Sequence, residues 1–372
     1  MPPTDPDLQR YATMLEEARR SGGASPARAG WRRLRGNRVA MAALIYLGLL
    51  VLAALLTPLW PLQSPYRVQT VRLLRGPSGP AWIEHDMNLL DGEGRLDDLC
   101  VQAEFRSLPR WQYPLLALRL KLWGDRSLSS LCGTDELGRD VLARLFWGAR
   151  ISLLVALVAT SVSLVIGVTY GSVAGYCGGR IDNVMMRIVD ILYSLPLIFI
   201  VIFLITFLNE AKIEKWLAGW GIDRMTVFFL VVGAVQWLTM ARVVRGQVIS
   251  LKHEQFVEAA RTLGASRRRI VFLHLVPNVL SVVIVYLTLT IPQVMLFEAF
   301  LSFLGLGVQA PHVSWGVLAS QGFKVITPVR TFWWLIMFPG LAVGITLFAL
   351  NFLGDGLRDA LDPRLKGRGT KP

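Results

Sequence analysis

Six long apolar runs decide what this chain can fold into. They lie near 39–60, 151–173, 188–208, 226–241, 279–300 and 333–353. A helix needs about 20 residues to cross the hydrocarbon of a bilayer, and most of the runs approach or exceed that length with almost no charge. In lipid every backbone polar group must be satisfied within the segment, so the runs are expected as transmembrane helices. Hydrophobic residues make up 53% of the 372. Their clustering, more than their share, separates the chain from a soluble domain. The fourth run is short, so it is expected either to cross with little tilt or to continue as a helix through Arg242.

Charge orients the spans. The formal net charge is +13, and in a membrane chain such an excess belongs to cytoplasmic loops. The segment 242–278 carries Arg242, Arg245, Lys252, Arg261, Arg267, Arg268 and Arg269 against Glu254 and Glu258. Around 209–225, by contrast, Lys212, Lys215 and Arg224 are matched by Glu210, Glu214 and Asp223. Both termini are therefore expected in the cytoplasm. Residues 1–38 form a polar N-terminal segment ending in Arg32, Arg33, Arg35 and Arg38, and 39–60 is a retained first span rather than a signal-peptide core. Residues 61–149 are an extracytoplasmic insertion, with some helix near 111–123. A core at 150–353 holds the remaining spans and the cytoplasmic loop 242–278, and 354–372 is a cytoplasmic tail. The expected fold class is all-α integral membrane, with six transmembrane helices.

Several function classes drop out. No zinc-finger spacing or aromatic-basic motif accompanies the charge, so nucleic acid is not an expected partner. The three cysteines make no CxxC pair and the four histidines are scattered, so no metal site is expected. No phosphate loop of the form GxxxxGK[ST] is present, so no ATP site is expected on this chain. An ATPase-independent secondary transporter would favour internal repeats with midplane acids, and a membrane enzyme would need a metal or nucleophile motif. Neither pattern is found.

Some residues stand out within this frame. Cys100 and Cys132 share the insertion and form a candidate disulfide pair, whereas Cys177 is expected as a free thiol near the cytoplasmic face. In GTDELGRDVLARLFWGARISL, Thr134 is expected to cap an interfacial helix with Asp135 and Glu136 in its first turn, and Arg150 to snorkel where the second span begins. Asp190 is expected to pair near Arg187 and Arg180. Glu298 is a candidate for the pathway lining or outer gate, or for pairing with a basic group on a partner. Pro196, Pro292 and Pro339 are expected to kink their helices.

The stretch EAARTLGASRRRIVFLHLVPN, residues 258–278, sits between two apolar runs. Phe256, Val257, Ala260 and Leu263 share a stripe at helical spacing, and Gly264 suits the left-handed end of a short helix. Ser266 is expected to cap a second helix through Val276, with Pro277 and Asn278 turning the chain into the fifth span. The segment has no nucleophile–base pair, so mechanical contact suits it better than chemistry.

This stretch resembles the EAA loop of ABC-importer permeases. Glu258, Ala259, Ala260 and Gly264 match its pattern, and Pro277 falls at the matching spacing. His274 and Val276 replace the usual isoleucine and leucine, an ending similar to the peptide-importer branch. The stretches YGSVAGYCGGRIDNVMMRIVDILYSLP, LFEAFLSFLGLGVQAPHVSWG and NFLGDGLRDALDP, with the one at 133–153, look like the C-type permease subunit of oligopeptide/dipeptide importers. The likeness covers roughly 30–62 and 130–365; the insertion at about 63–130 is longer than it implies. The resemblance implies a type I ABC importer permease fold in the bacterial inner membrane. It also implies a second permease subunit, two cytoplasmic ATPase subunits carrying ATP and Mg, and an extracytoplasmic peptide-binding protein. Glu258, Ala259, Ala260, Arg261, Gly264 and Pro277 would form the ATPase-coupling loop. Nickel, glutathione or antimicrobial-peptide permeases would share these features.

Overall fold

The computed structural model describes residues 26–84, 89, 96–106, 108–129, 131–309 and 311–361. The remainder of the expected N-terminal segment and the tail beyond 361 lie outside them. Helix α1 (Pro26–Gly36) leads into α2 (Arg38–Leu55), whose first N–H groups, those of Val39 and Ala40, donate to the Asn37 side chain. The insertion follows with strand β1 (Ala81–Glu84), α3 (Asp98–Phe105), α4 (Tyr113–Trp123) and strand β2 (Arg126–Ser129). Then comes α5 (Val141–Cys177), 37 residues long. Gly178 and Gly179, at φ 65° and 56°, reverse the chain into α6 (Gly179–Ser194). After α7 (Leu197–Leu208) and α8 (Ala211–Ala218) come α9 (Arg224–Leu251) and α10 (Gln255–Thr262). A continuous run of helical backbone, α11 (Arg267–Phe303), then leads to α12 (Trp315–Lys324) and α13 (Trp334–Leu361).

Among the described residues, α2, α5, α9, α11 and α13 are long and apolar enough to cross a membrane. Taken as one span, α6 with α7, bent by 88° at a break, makes a sixth. The bend falls at Leu195 and Pro196, where the proline ring clashes with the preceding turn, its missing N–H removes a helical bond, and the residue before it is biased away from the helix. The short fourth run is completed by polar sequence, since α9 stays helical to Leu251. One feature departs from an all-helical chain: β1 and β2 pair antiparallel, Ala81 opposite Ser129.

The tightest packing is between α5 and α9. Gly167, Gly171 and Gly175 recur every fourth residue on one face of α5. A Cβ on Gly171 would lie 2.3 Å from the Ala241 carbonyl oxygen, and one on Gly175 would lie 2.8 Å from that of Arg245. The two backbones therefore touch, as small residues allow in membranes where apolar burial supplies little drive between helices. Ala43 and Leu47 of α2 share a second core with Ala349 and Leu350 of α13 and with Trp315.

Several local expectations are corrected. Residues 133–140 are a loop, not an interfacial helix. Asp135 accepts from the N–H of Leu137 and Arg139, both at 2.9 Å, and pairs with the side chains of Arg139 at 2.7 Å and Arg144. Thr134 accepts from Arg75 N–H at 3.0 Å, and Asp140 is the residue that caps α5, accepting from Ala143 N–H at 2.9 Å. An acid holding two arginines and two backbone amides favours a closed loop over a first helical turn. The second correction concerns Pro277, which turns nothing. The helix runs through it because residues 270–275 widen into a π-type turn, which accommodates the ring where a regular α-turn would clash.

The insertion has its own core, in which Val101, Phe105, Leu108 and Leu116 surround Trp147 of α5. Arg150 does not reach outward; it stacks on Trp147 at 4.7 Å and donates to Gln112 at 2.5 Å. Cys100 and Cys132 are both free thiols and belong to different apolar clusters, so the disulfide is not formed. The Cys100 thiol donates to Asp97 at 3.2 Å, which raises its pKa, and burial pushes Cys132 up to about 11.

Gly171→Ala is expected to destabilise the chain by about 1–3 kcal/mol through overpacking, read as a lower thermal midpoint in detergent. Gly246→Ala, where nothing lies within 4 Å, leaves the midpoint in place. Because the thiolate is the reactive form, maleimide at neutral pH should modify exposed Cys177 first and Cys132 last. Unfolding without reductant should expose three titratable thiols, and a count of one would reinstate the disulfide.

Candidate functional site

The loop between α9 and α11 is built as a stiff bracket. α9 ends at Leu251, and the Lys252 ammonium donates to the Gly175 carbonyl at 3.2 Å. After two turns of α10, Gly264 takes φ 77°. Ala265 N–H then donates to the Ala260 carbonyl at 3.0 Å and Gly264 N–H to that of Arg261 at 2.9 Å, the paired bonds of a Schellman end. Ser266 accepts from Arg269 N–H at 3.4 Å and so opens the next helix. No residue of the bracket is left to a flexible linker.

One side of α10 is rooted. Val257 and Ala260 are buried with Val244 and Val248 of α9 and with Ile270 and Leu275 of α11. The other side is open: Glu258, Ala259, Arg261 and Gly264 are exposed, and so are Arg267, Arg268 and Arg269. Leu263, expected on the buried stripe, is 88% exposed instead. It stands at the helix end, where the left-handed turn points it away from the core. Arg261 sits over the Tyr176 ring at 5.5 Å. Pro277 lies in α11 and is exposed.

Beneath the bracket, two ion pairs tie α6 to α9. Arg245 grips Asp182 with two hydrogen bonds, at 2.5 and 2.6 Å. Arg242 meets Asp190 at 2.8 Å and lies over the Tyr193 ring at 4.3 Å. Asp190 thus finds its partner on another helix, not at Arg187 or Arg180. The basic signal was present in the sequence, since Arg242 and Arg245 lie one turn apart, but the pairing of α6 with α9 was not.

Glu298 is placed at the opposite end of the helices. It is 1% exposed, so it lines no open passage in this conformation. Ser302, one turn on, donates to it at 2.7 Å, and Ser152 of α5 lies at 3.4 Å. Ser314 completes the set of hydroxyls around the carboxyl group. The Ser152 hydroxyl also accepts from Trp315 N–H at 3.2 Å. Glu298 therefore joins α5, α11 and the start of α12. Among the described residues no His, Cys, Asp or Glu group could hold a metal ion.

A family model described as "Binding-protein-dependent transport system inner membrane component" matches residues 167–367. Another, described as "N-terminal TM domain of oligopeptide transport permease C", matches residues 25–75. The dipeptide transport system permease protein DppC of Bacillus subtilis is 39% identical over 336 residues, covering 90% of this chain and 85% of that protein. The oligopeptide transport system permease protein OppC of Haemophilus influenzae is 47% identical over 234 residues, covering 62% and 70%. Its counterpart from Escherichia coli K12 is 49% identical over 234 residues, covering 62% and 72%. A solved chain of the MetNI methionine ABC transporter, in inward-facing conformations, matches with a TM-score of 0.45 at 18% identity, covering 58% of this chain and 94% of that one.

Removing the Glu298 carboxyl leaves buried hydroxyls without their acceptor, at about 1–3 kcal/mol. Glu298→Ala should lower the thermal midpoint in detergent, and Glu298→Gln, which keeps an acceptor, should lower it less. An unchanged midpoint with lost transport would return Glu298 to the pathway.

Proposed function

This chain belongs to the family of binding-protein-dependent transport system inner membrane components, and we propose that it is the C-type permease subunit of an ATP-driven importer of oligopeptides or dipeptides. Relatives named as peptide permeases align over as much as nine-tenths of it, which favours peptides over nickel or glutathione as cargo. It forms half of a translocation pathway across the bacterial inner membrane, with both termini in the cytoplasm.

The observation that carries this reading is the geometry of α10: a short helix rooted by Val257 and Ala260, with Ala259 and Leu263 facing out. A small side chain permits close approach, and an exposed leucine gives an apolar knob for a groove on another protein. The groove belongs to one of two cytoplasmic ATPase subunits, which hold the ATP and Mg. Closure of the ATPases pushes on α10. The Schellman end and the buried root pass that push into α9 and α11, and the Asp182–Arg245 pair passes it to α6. A second permease subunit mirrors this motion, and an extracytoplasmic binding protein delivers the peptide at the far end.

Substitutions on the open side test the reading without disturbing the core. Ala259→Arg and Leu263→Glu should abolish ATP-driven peptide uptake in proteoliposomes containing the full importer, while the permease stays folded. Gly264→Pro, which removes the N–H donated to Arg261, should do the same with some loss of stability. Normal uptake by both open-side variants would overturn the docking assignment.

A further inference from the structure

We propose that helix α4 of the insertion lies in the bilayer interface beside the outer end of α2, as an anchor that seats the insertion on the lipid headgroups. The sequence of α4, YPLLALRLKLW, is apolar nearly all round. Leu116 and Arg119 are buried toward the insertion's core. The opposite face carries Pro114, Ala117, Leu118, Lys121 and Leu122, all exposed. Leu118 is 43% exposed, Leu122 60% and the preceding Trp111 66%. A helix apolar on both sides is stable when the second side is covered too.

The position of α4 identifies what covers it. Gln112, just before the helix, donates to the carbonyl of Leu55, the last residue of α2, at 3.5 Å. Arg119 donates to the carbonyl of Leu62 at 2.7 Å. The helix is therefore pinned at the depth where α2 leaves the hydrocarbon. The outer turns of α2 also expose apolar side chains, Leu52 and Leu55. Composition agrees with the headgroup level. Trp111 and Trp123 stand at the two ends, Trp82 of β1 stacks on Trp123 at 5.8 Å, and Lys121 is the one charge on the open face. Tryptophan belts and snorkelling lysines mark membrane–water interfaces. A surface made to receive a protein would be depleted in lysine at its centre.

The test uses the full importer in vesicles of phosphatidylethanolamine and phosphatidylglycerol. Nitroxide labels at Leu118→Cys and Leu122→Cys, in a background of Cys100→Ser, Cys132→Ser and Cys177→Ser, report access to oxygen and to a water-soluble nickel chelate. Oxygen access well above chelate access, as for a label at Leu52→Cys, is the expected result. Higher chelate access would show a water-exposed face, and low access to both would show a protein partner; either overturns the proposal. A second measurement needs no substitution. Vesicles containing a phospholipid with a photoactivatable acyl chain should leave adducts on the peptide 111–123 of the natural chain, and their absence from that peptide while α2 is labelled would also overturn it.

Discussion

Backbone contact between α5 and α9 sets the geometry on which the other elements depend. At Gly171 and Gly175 there is no room even for a methyl group. In lipid, where apolar side chains gain little by leaving the solvent, van der Waals contact between close backbones is a principal source of helix association. It also fixes register: α9 cannot slide along α5 without driving Ala241 or Arg245 into the wrong residue. Close contact continues to the end of the pair, where Lys252 reaches the Gly175 carbonyl. The loop that follows α9 therefore starts from a fixed point.

From that point the chain avoids compliance. α10 is closed by two backbone bonds at its end and packed by Val257 and Ala260 at its base. Ser266 opens α11 without an intervening linker. The π-type turn at 270–275 lets the helix pass Pro277 unbroken, where a simple kink would have introduced a hinge between α10 and the membrane. The marked bend lies elsewhere, at Leu195 and Pro196 between α6 and α7. Stiff elements thus gather around α10, and the break falls in the helix pair that the Asp182–Arg245 and Asp190–Arg242 bridges connect to α9.

The sequence made the spans legible because length and apolarity act locally: each crossing must satisfy its own backbone. The short helix at 255–262, its glycine end and its serine start were legible for the same reason, as caps involve neighbours. What was not legible depends on which helices meet. Asp190 finds Arg242 across 52 residues, and Glu298 finds Ser152 across 146. Helical periodicity put Leu263 on the buried stripe, but the left-handed turn at Gly264 overrides periodicity at a helix end. Cys100 and Cys132 share a segment, yet separate apolar clusters keep them apart. The family resemblance supplied what composition could not, namely a reason for a basic bracket between two spans.

Charge is distributed by the same logic. The Asp135 pairs with Arg139 and Arg144 lie at one end of α5, and the Asp182 and Asp190 pairs at the other. The buried Asp135–Arg144 pair costs much of what it returns in desolvation, and the exposed Asp190–Arg242 pair is worth little in water, so they add little to stability as such. Their value is geometric, because removing either partner leaves a charge without compensation, and the pairing admits few alternatives. Placed at the ends, they hold the helix termini, while directional bonds between helices are fewer in the middle, where Tyr46 of α2 meets Thr346 of α13 at 3.2 Å. Glu298 extends this: a carboxyl group among serines from three parts of the chain fixes α11 against α5 and α12. A helix bundle clamped at its ends can rotate as a body, which is the motion that the proposed push on α10 would require.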